Sequence, residues 1–513
     1  MNELKPFRLG QDRLTPHLLV ELASKPNPPI MVTEESLARV ARYRQYVDNI
    51  LAGSARVYGI NTGFGFLSDV AIEPSRLRDL QINLIRSHAC GVGPAVDDAV
   101  VRALLILRAH TFALGHSGVR RDTVELLLRF LKHDILPIVP CQGSVGASGD
   151  LAPLSHLAMG LMGEGDVRLD GSVMPAGDAL AKFGIPPLKP EAKEGLSLIN
   201  GTHFMASIGS FAVVEALSIV QSADISASLS LDAVRGTLVA FDNRIQAVRS
   251  HPGQAVVASN VRALFSDSDG IMDSHRDCGK VQDPYSFRCV PQVHGASRDV
   301  LAHVSQVIET ELNSVTDNPL VFDESEIVSG GNFHGQPIAL AMDYLALSIA
   351  EIGSISERRI EKITNPHQSG LPPFAMRDSG LNSGYMIPHV VAAALVSESK
   401  ILCHPASVDS IPTSADKEDH VSMGPIAARK ARVVAENVRR ILAIEFLAAA
   451  QGLDLLSPLK PSKALLKVLE DVRGIAPMMD VDRSLHKEIE RVAQWIHGNG
   501  PRSAVQGAGI EIV

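Results

Sequence analysis

Along most of the chain apolar residues recur at helical spacing, and turn formers interrupt them at intervals too long for strands. LARVARYRQYVDNIL reads as a helix with Thr33 as its N-cap and Glu35 in its first turn. Helical spacing resumes in LRDLQINLIRSHACGVG, in VVRALLILRAHTFALG and from Leu151 to Gly163. A long helical region begins at LSLINGTHFMASIG. The same periodicity recurs at 296–312, 335–362, 385–403 and 424–452, with two amphipathic helices beyond residue 461. Loops rich in Pro, Asp and Gly separate these segments at 266–292, 316–334, 364–384 and 404–423. One hairpin is expected, pairing EGDVRL with DGSVMP about Asp170-Gly171. The pattern predicts a mainly α protein in three parts: a smaller mixed N-terminal region over 1–195, a bundle of long helices over 196–460, and C-terminal helices over 461–513 packed on that bundle.

Composition sharpens this picture at few points. A chain of 513 residues can bury a large core, and aromatics at only 4% favour packed helices over strands. A net charge of −9 implies no basic field for nucleic acid. Five cysteines without a CxxC pair fit a reducing compartment and supply no metal-ligand spacing. The first residues, MNELKPFRLGQDRL, carry no apolar signal core, and no uncharged apolar run reaches the roughly 18 residues of a spanning helix. A soluble, cytoplasmic protein is expected.

Candidate chemistry collects in the loops. GSVGASGDLAPLSH places Gly143, Gly146 and Gly149 around Ala147-Ser148, before a helix start marked by Asp150 and Pro153. A plain turn or an anion-binding nest would use the same residues, but neither GxGxxG nor a phosphate loop is present. In YGINTGFG, Gly59, Gly63 and Gly65 hold Tyr58 and Phe64 on a tight loop. A phenol ionises near pH 10, and a nearby cation or helix N-terminus would lower that value and make Tyr58 a general base. His88 sits near a helix end in SHACGVG, and the Asn200 amide in LINGTH suits a helix N-cap. KVQDPYSFRCVPQ carries Gln282, Tyr285 and Arg288 on an irregular loop, where the Arg288 fork suits a carboxylate and Tyr285 a proton relay. ETELNSVTDNPL reads as a helix end and a turn. SGGNFHGQP offers Phe333 as a wall for a ring, and SADKEDHVSMG clusters Lys417, Glu418, Asp419 and His420.

These motifs, in this order from about residue 15 to 500, resemble the aromatic amino acid ammonia-lyases. In that family an Ala-Ser-Gly tripeptide cyclises with loss of two waters to an electrophilic methylidene-imidazolone (MIO). The resemblance implies that Ala147, Ser148 and Gly149 form this group and that no metal or diffusible cofactor is needed. It implies catalytic roles for Tyr58, the first choice of base for the β-proton, and for Tyr285 and Glu418, either of which could take that proton instead. His88, Asn200, Gln282, Arg288, Phe333 and Lys417 become substrate-binding residues. Ser87-His88 and EDHVSM resemble the histidine-using branch, in which Glu418 would meet an imidazole. The implied reaction releases ammonia from L-histidine to give urocanate, in an all-α homotetramer whose subunits share active sites. His203, His294, Gln336 and Lys417 depart from that branch. They leave open a histidine betaine such as ergothioneine, releasing trimethylamine and thiourocanate, with Lys417 beside the ring. Another aromatic amino acid lyase, an aminomutase and a non-catalytic binding protein on the same fold rank lower.

Overall fold

Ala and Leu, which lose little rotamer freedom in a helix, recur through the long helices His203–Ala233, Gln336–Thr364 and Gly424–Leu455, and Val290–Leu312 is a further long helix. A computed structural model of the chain describes residues 5–53, 57–63, 65, 72–267, 270–323 and 326–513. Phe64 of the tyrosine loop lies outside them. The helix Glu34–Leu51 starts where its cap signal stands, with the Ser36 N–H donating to Thr33 Oγ1 at 3.2 Å. The hairpin also forms. Asp166–Leu169 pairs antiparallel with Ser172–Pro175, and Asp170 (φ 50°) and Gly171 (φ 77°) take the left-handed conformations of a tight hairpin turn.

Two expectations change. The helix expected from residue 296 begins at Val290, because Pro291 is tolerated in a first turn, and a short helix, Tyr285–Arg288, precedes it. The C-terminal part holds three helices: Lys463–Ile475, His486–His497 and Gly500–Gly507. Asn499, at φ 56°, breaks the continuity between the last two.

The described chain divides into two compact units. The first comprises Met1–Phe211, Ser305–Asp343 and Pro405–Arg429; the second comprises Ala212–Val304, Tyr344–His404 and Lys430–Val513. All the short sheets belong to the first unit, including Phe7–Leu9 parallel to Ile30–Val32 and Val92–Ala95 antiparallel to Pro140–Gln142. His203–Ala233 and Gln336–Thr364 reach a mean hydropathy of 1.6, enough to cross a membrane, yet their apolar windows are 83% and 61% buried within the protein. They are core helices.

Inside the second unit a polar network crosses the apolar bundle. Arg359 NH2 donates to Glu445 Oε2 at 2.9 Å, and Ser226, Ser230 and Ser356 donate to the same carboxylate. Asp224 accepts from His294 Nδ1 at 2.8 Å and from Arg298 at 2.7 Å. Burying a charge is costly unless it is paired, so each member holds the others in place. Arg359→Met strands the Glu445 carboxylate and is expected to cost about 3–5 kcal/mol. Adding Glu445→Gln should recover part of that loss. Urea unfolding of the two variants measures both effects, and a midpoint unchanged by Arg359→Met would contradict the pairing.

Candidate active site

The glycine-rich stretch closes onto the segment that precedes the helix His203–Ala233. The Asn200 side-chain amide donates to the Ser148 carbonyl at 2.8 Å, and the Gly201 N–H donates to the same oxygen at 3.3 Å. One residue further, the Asp150 N–H donates to the Gly201 carbonyl at 2.8 Å. A side chain at Gly149 (φ 75°) would put its Cβ 2.1 Å from the Gly201 carbonyl oxygen, so this approach requires glycine. Ala147 is buried against Val421 and Met423. The helix Leu151–Leu161 starts directly after the tripeptide and turns its positive end toward it.

Buried charges hold the other side of this contact. The Arg108 guanidinium donates to the carbonyls of Ser197 (2.8 Å) and Asn200 (3.1 Å), capping the helix Glu194–Ile199. Burial pulls Arg108 down to about 10. Asp150 Oδ2 accepts from the Phe204 and Met205 N–H groups at 2.9 and 3.0 Å, so it caps the helix His203–Ala233 and makes no side-chain cap to its own helix. Asn200 likewise departs from its expected N-cap role, because its amide is turned to Ser148. Arg108 and Asp150's second helix were not foreseen. A lone arginine in LLILRAHTFAL was the available signal.

A cavity of about 430 Å³ opens over Ser148 and brings together Tyr58, His88, Ser148, Asn200, Phe333 and Glu418. Its apolar walls are Leu84, Leu151, Leu196 and Ile199, which periodicity alone marks only as core. Glu418 Oε1 accepts from Ser148 Oγ at 2.9 Å. His88 Nδ1 donates to the Leu84 carbonyl at 2.8 Å, leaving Nε2 as the ring's other hydrogen-bonding atom. Asn318, from the DNP turn, accepts the Gly330 N–H at 2.7 Å and so pins the segment leading to Phe333. Burial pushes the Tyr58 phenol up from its ordinary value; an N–H of Gly65 opposes the rise and the Glu418 charge adds to it. No lysine or arginine lines the cavity among the described residues.

Other singled-out residues fall elsewhere. Lys417 is exposed on the turn before Glu418 and does not line the cavity. His203 is buried, with Nε2 2.9 Å from Thr111 Oγ1. Gln336 donates to the Ser407 carbonyl at 3.4 Å, and His294 belongs to the Asp224 network of the second unit. Gln282, Tyr285 and Arg288 also belong to the second unit. Gln282 and Tyr285 are exposed there, Tyr285 by 71%, and the Arg288 guanidinium lies 4.6 Å over the Tyr285 ring.

The family model for aromatic amino acid lyases matches residues 14–474, and the chain belongs to that family, which uses an MIO group. The chain is 51% identical over 490 residues to a histidine ammonia-lyase of Sorangium cellulosum, covering 94% of this chain and 95% of that protein. The crystal structure of histidine ammonia-lyase from Trypanosoma cruzi superimposes with a TM-score of 0.91 at 44% identity, covering 98% of this chain and 95% of that one. The ergothioneine-degrading ergothionase of Treponema denticola has the same fold, with a TM-score of 0.90 at 27% identity, covering 97% and 99%.

Asp150 gives the tripeptide loop a pH signature. Burial pushes its carboxyl up to about 7 from an ordinary 3.8, against the bonds from Met205 and Phe204 and the charge of Arg108. Between those values Asp150 holds a proton in the folded protein that the unfolded chain has released, so its contribution to stability falls as pH rises from about 4 to about 7. Asp150→Asn keeps an acceptor for the two N–H groups and removes this titration. Relative to the wild-type midpoint, its thermal midpoint should rise as pH increases across that window, whatever slope the other shifted groups supply, among them Asp232, also pushed up to about 7, and His110, pulled down to about 4. An unchanged slope would count against the assignment.

Proposed function

We infer that this enzyme eliminates ammonia from L-histidine to give urocanate. One contact carries the reading: Ser148 Oγ lies 2.9 Å from Glu418 Oε1, putting the tripeptide and a ring-reading carboxylate in one cavity. The histidine ammonia-lyase relatives support the same substrate.

Ala147, Ser148 and Gly149 are proposed to form the MIO group, and their surroundings fit it. Gly149 has no room for a side chain, Ala147 is enclosed, and two N–H donors converge on the Ser148 carbonyl. The Asn200 Oδ1 atom is buried without a partner among the described residues, and we assign it a donor on the substrate. When formed, the group supplies an electrophilic methylidene that makes an α-amino group a better leaving group.

The chain's own residues do the rest. Asn200 and the Gly201 N–H stabilise negative charge on the Ser148 carbonyl oxygen. Phe333 and the apolar walls pack the substrate ring, while Glu418 and His88 meet its nitrogens. Tyr58 takes the β-proton; the electrons of that C–H bond form the Cα=Cβ double bond as the Cα–N bond breaks. A phenol held above its ordinary value gives, once ionised, a phenolate strong enough for a weak carbon acid. Gln282, Tyr285 and Arg288 serve the cavity of a neighbouring copy in a homotetramer, where Arg288 binds the substrate carboxylate. The exposure of Gln282 and Tyr285 in their own unit supports that role.

The betaine alternative loses its footing, since Lys417, His203, His294 and Gln336 all lie outside the cavity lining. Following product absorbance with L-histidine, ergothioneine, L-tyrosine and L-phenylalanine in parallel should show urocanate from L-histidine. Turnover of ergothioneine without histidine would overturn the substrate. The intact mass should lie two waters below the sequence mass. Ser148→Ala should keep the full mass and lose activity, whereas full activity in that variant would sink the MIO assignment. Tyr58→Phe should keep the mass deficit and lose roughly 10²–10⁴-fold in rate; a wild-type rate would assign the proton elsewhere.

A further inference from the structure

Glu418 can read a ring only while its carboxylate keeps one orientation, and the loop that carries it contains a device for that. Oε2 accepts from Thr413 Oγ1 at 2.8 Å and from Ser414 Oγ at 2.9 Å. A carboxylate oxygen offers about two acceptor sites, so these hydroxyls fill Oε2. Oε1, the oxygen that meets Ser148, keeps an acceptor site for the cavity.

The backbone closes the same loop. The Thr413 N–H donates to the Glu418 carbonyl at 3.0 Å, and the Glu418 N–H donates back at 3.4 Å. Between them Ser414, Ala415 and Asp416 take φ values of 53°, 53° and 64°, three successive left-handed residues without a glycine. In that conformation the Cβ crowds the neighbouring carbonyl, so such a run persists only where surrounding bonds over-determine it. The two backbone bonds and the two hydroxyl bonds are those constraints, and the turn returns the Ser414 hydroxyl to a carboxylate four residues on.

We propose that Thr413 and Ser414 are positioning residues for substrate recognition: their hydroxyls occupy Oε2 of Glu418 and leave Oε1 to accept the N–H of an imidazole ring. The proposal rests on the assignment of Glu418 to the substrate ring. Its chemistry selects against rings without an N–H. Once cyclisation has removed the Ser148 hydroxyl, a phenyl ring would bury Oε1 without a donor, whereas an imidazole pairs it.

The test combines Thr413→Val with Ser414→Ala and sets that variant beside Thr413→Val and Thr413→Ser. Intact mass and steady-state kinetics with L-histidine are measured for all of them and for the wild type. Ring binding shared by ground and transition states shows in KM more than in kcat. The double variant should raise KM roughly tenfold to a hundredfold, with a smaller change in kcat and the two-water mass deficit retained. Thr413→Ser, which keeps the hydroxyl, should stay within about twofold of wild type, and Thr413→Val should not. A wild type that turns over L-histidine beside an unchanged KM in the double variant overturns the clamp alone. Equal KM values for Thr413→Ser and Thr413→Val also overturn it, and they decide the matter if the double variant fails to fold. A wild type inactive on L-histidine overturns the substrate reading and the clamp with it.

Discussion

The site depends on the approach of two backbone segments, Ser148–Asp150 and Asn200–Gly201, to a distance that excludes any side chain. Glycine at 149 permits it, and the Asn200 amide rewards it with a bond to the Ser148 carbonyl. Such a contact brings several polar backbone groups into a buried place, where each must find a partner. Arg108 meets that demand behind Asn200, and Asp150 meets it at the start of the helix His203–Ala233. Large buried charges are costly, and here they are used where helix ends leave carbonyls and N–H groups without partners. The tripeptide is held by helix termini, not by a flexible loop.

The charges at the cavity follow from the same economy of placement. Its lining contains a carboxylate, a phenol, an imidazole and an amide, with the carboxylate 2.9 Å from the Ser148 hydroxyl. A negative charge beside Tyr58 opposes ionisation of the phenol, so a substrate that arrives with a cationic amine is favoured twice: it is attracted to the cavity, and it eases the later loss of the phenol proton. The basic residue suited to a carboxylate, Arg288, belongs to the other unit, on a segment whose neighbours Val281, Gln282 and Tyr285 are exposed.

Much of the helical architecture was legible because apolar spacing persists over many turns, and Thr33 and Asp170-Gly171 carry local rules that no tertiary contact overrides. Pro291 and the polar run before it resemble a loop, so periodicity alone starts the helix from Val290 too late. For Asn200 and Asp150 the sequence points to the nearest helix end, since it displays neighbours and not the partners 52 and 54 residues away that hold their bonds. Motif resemblance brought Tyr58, Ser148 and Glu418 forward, and they meet in one cavity. It also gave Lys417 a place at the ring by adjacency to Glu418. On the left-handed turn, adjacent residues diverge: Glu418 faces the cavity while Lys417 faces solvent.

If Glu418 is the group that recognises imidazole beside the tripeptide, neutralising its carboxylate must weaken histidine turnover without preventing maturation. The most direct measurement compares urocanate formation from L-histidine by wild type and Glu418→Gln, with the intact mass of each recorded. The expected result is urocanate from the wild type, a loss of roughly tenfold to a hundredfold or more in kcat/KM for the variant, and a two-water mass deficit in both. Equal kcat/KM values in the two proteins would contradict the account.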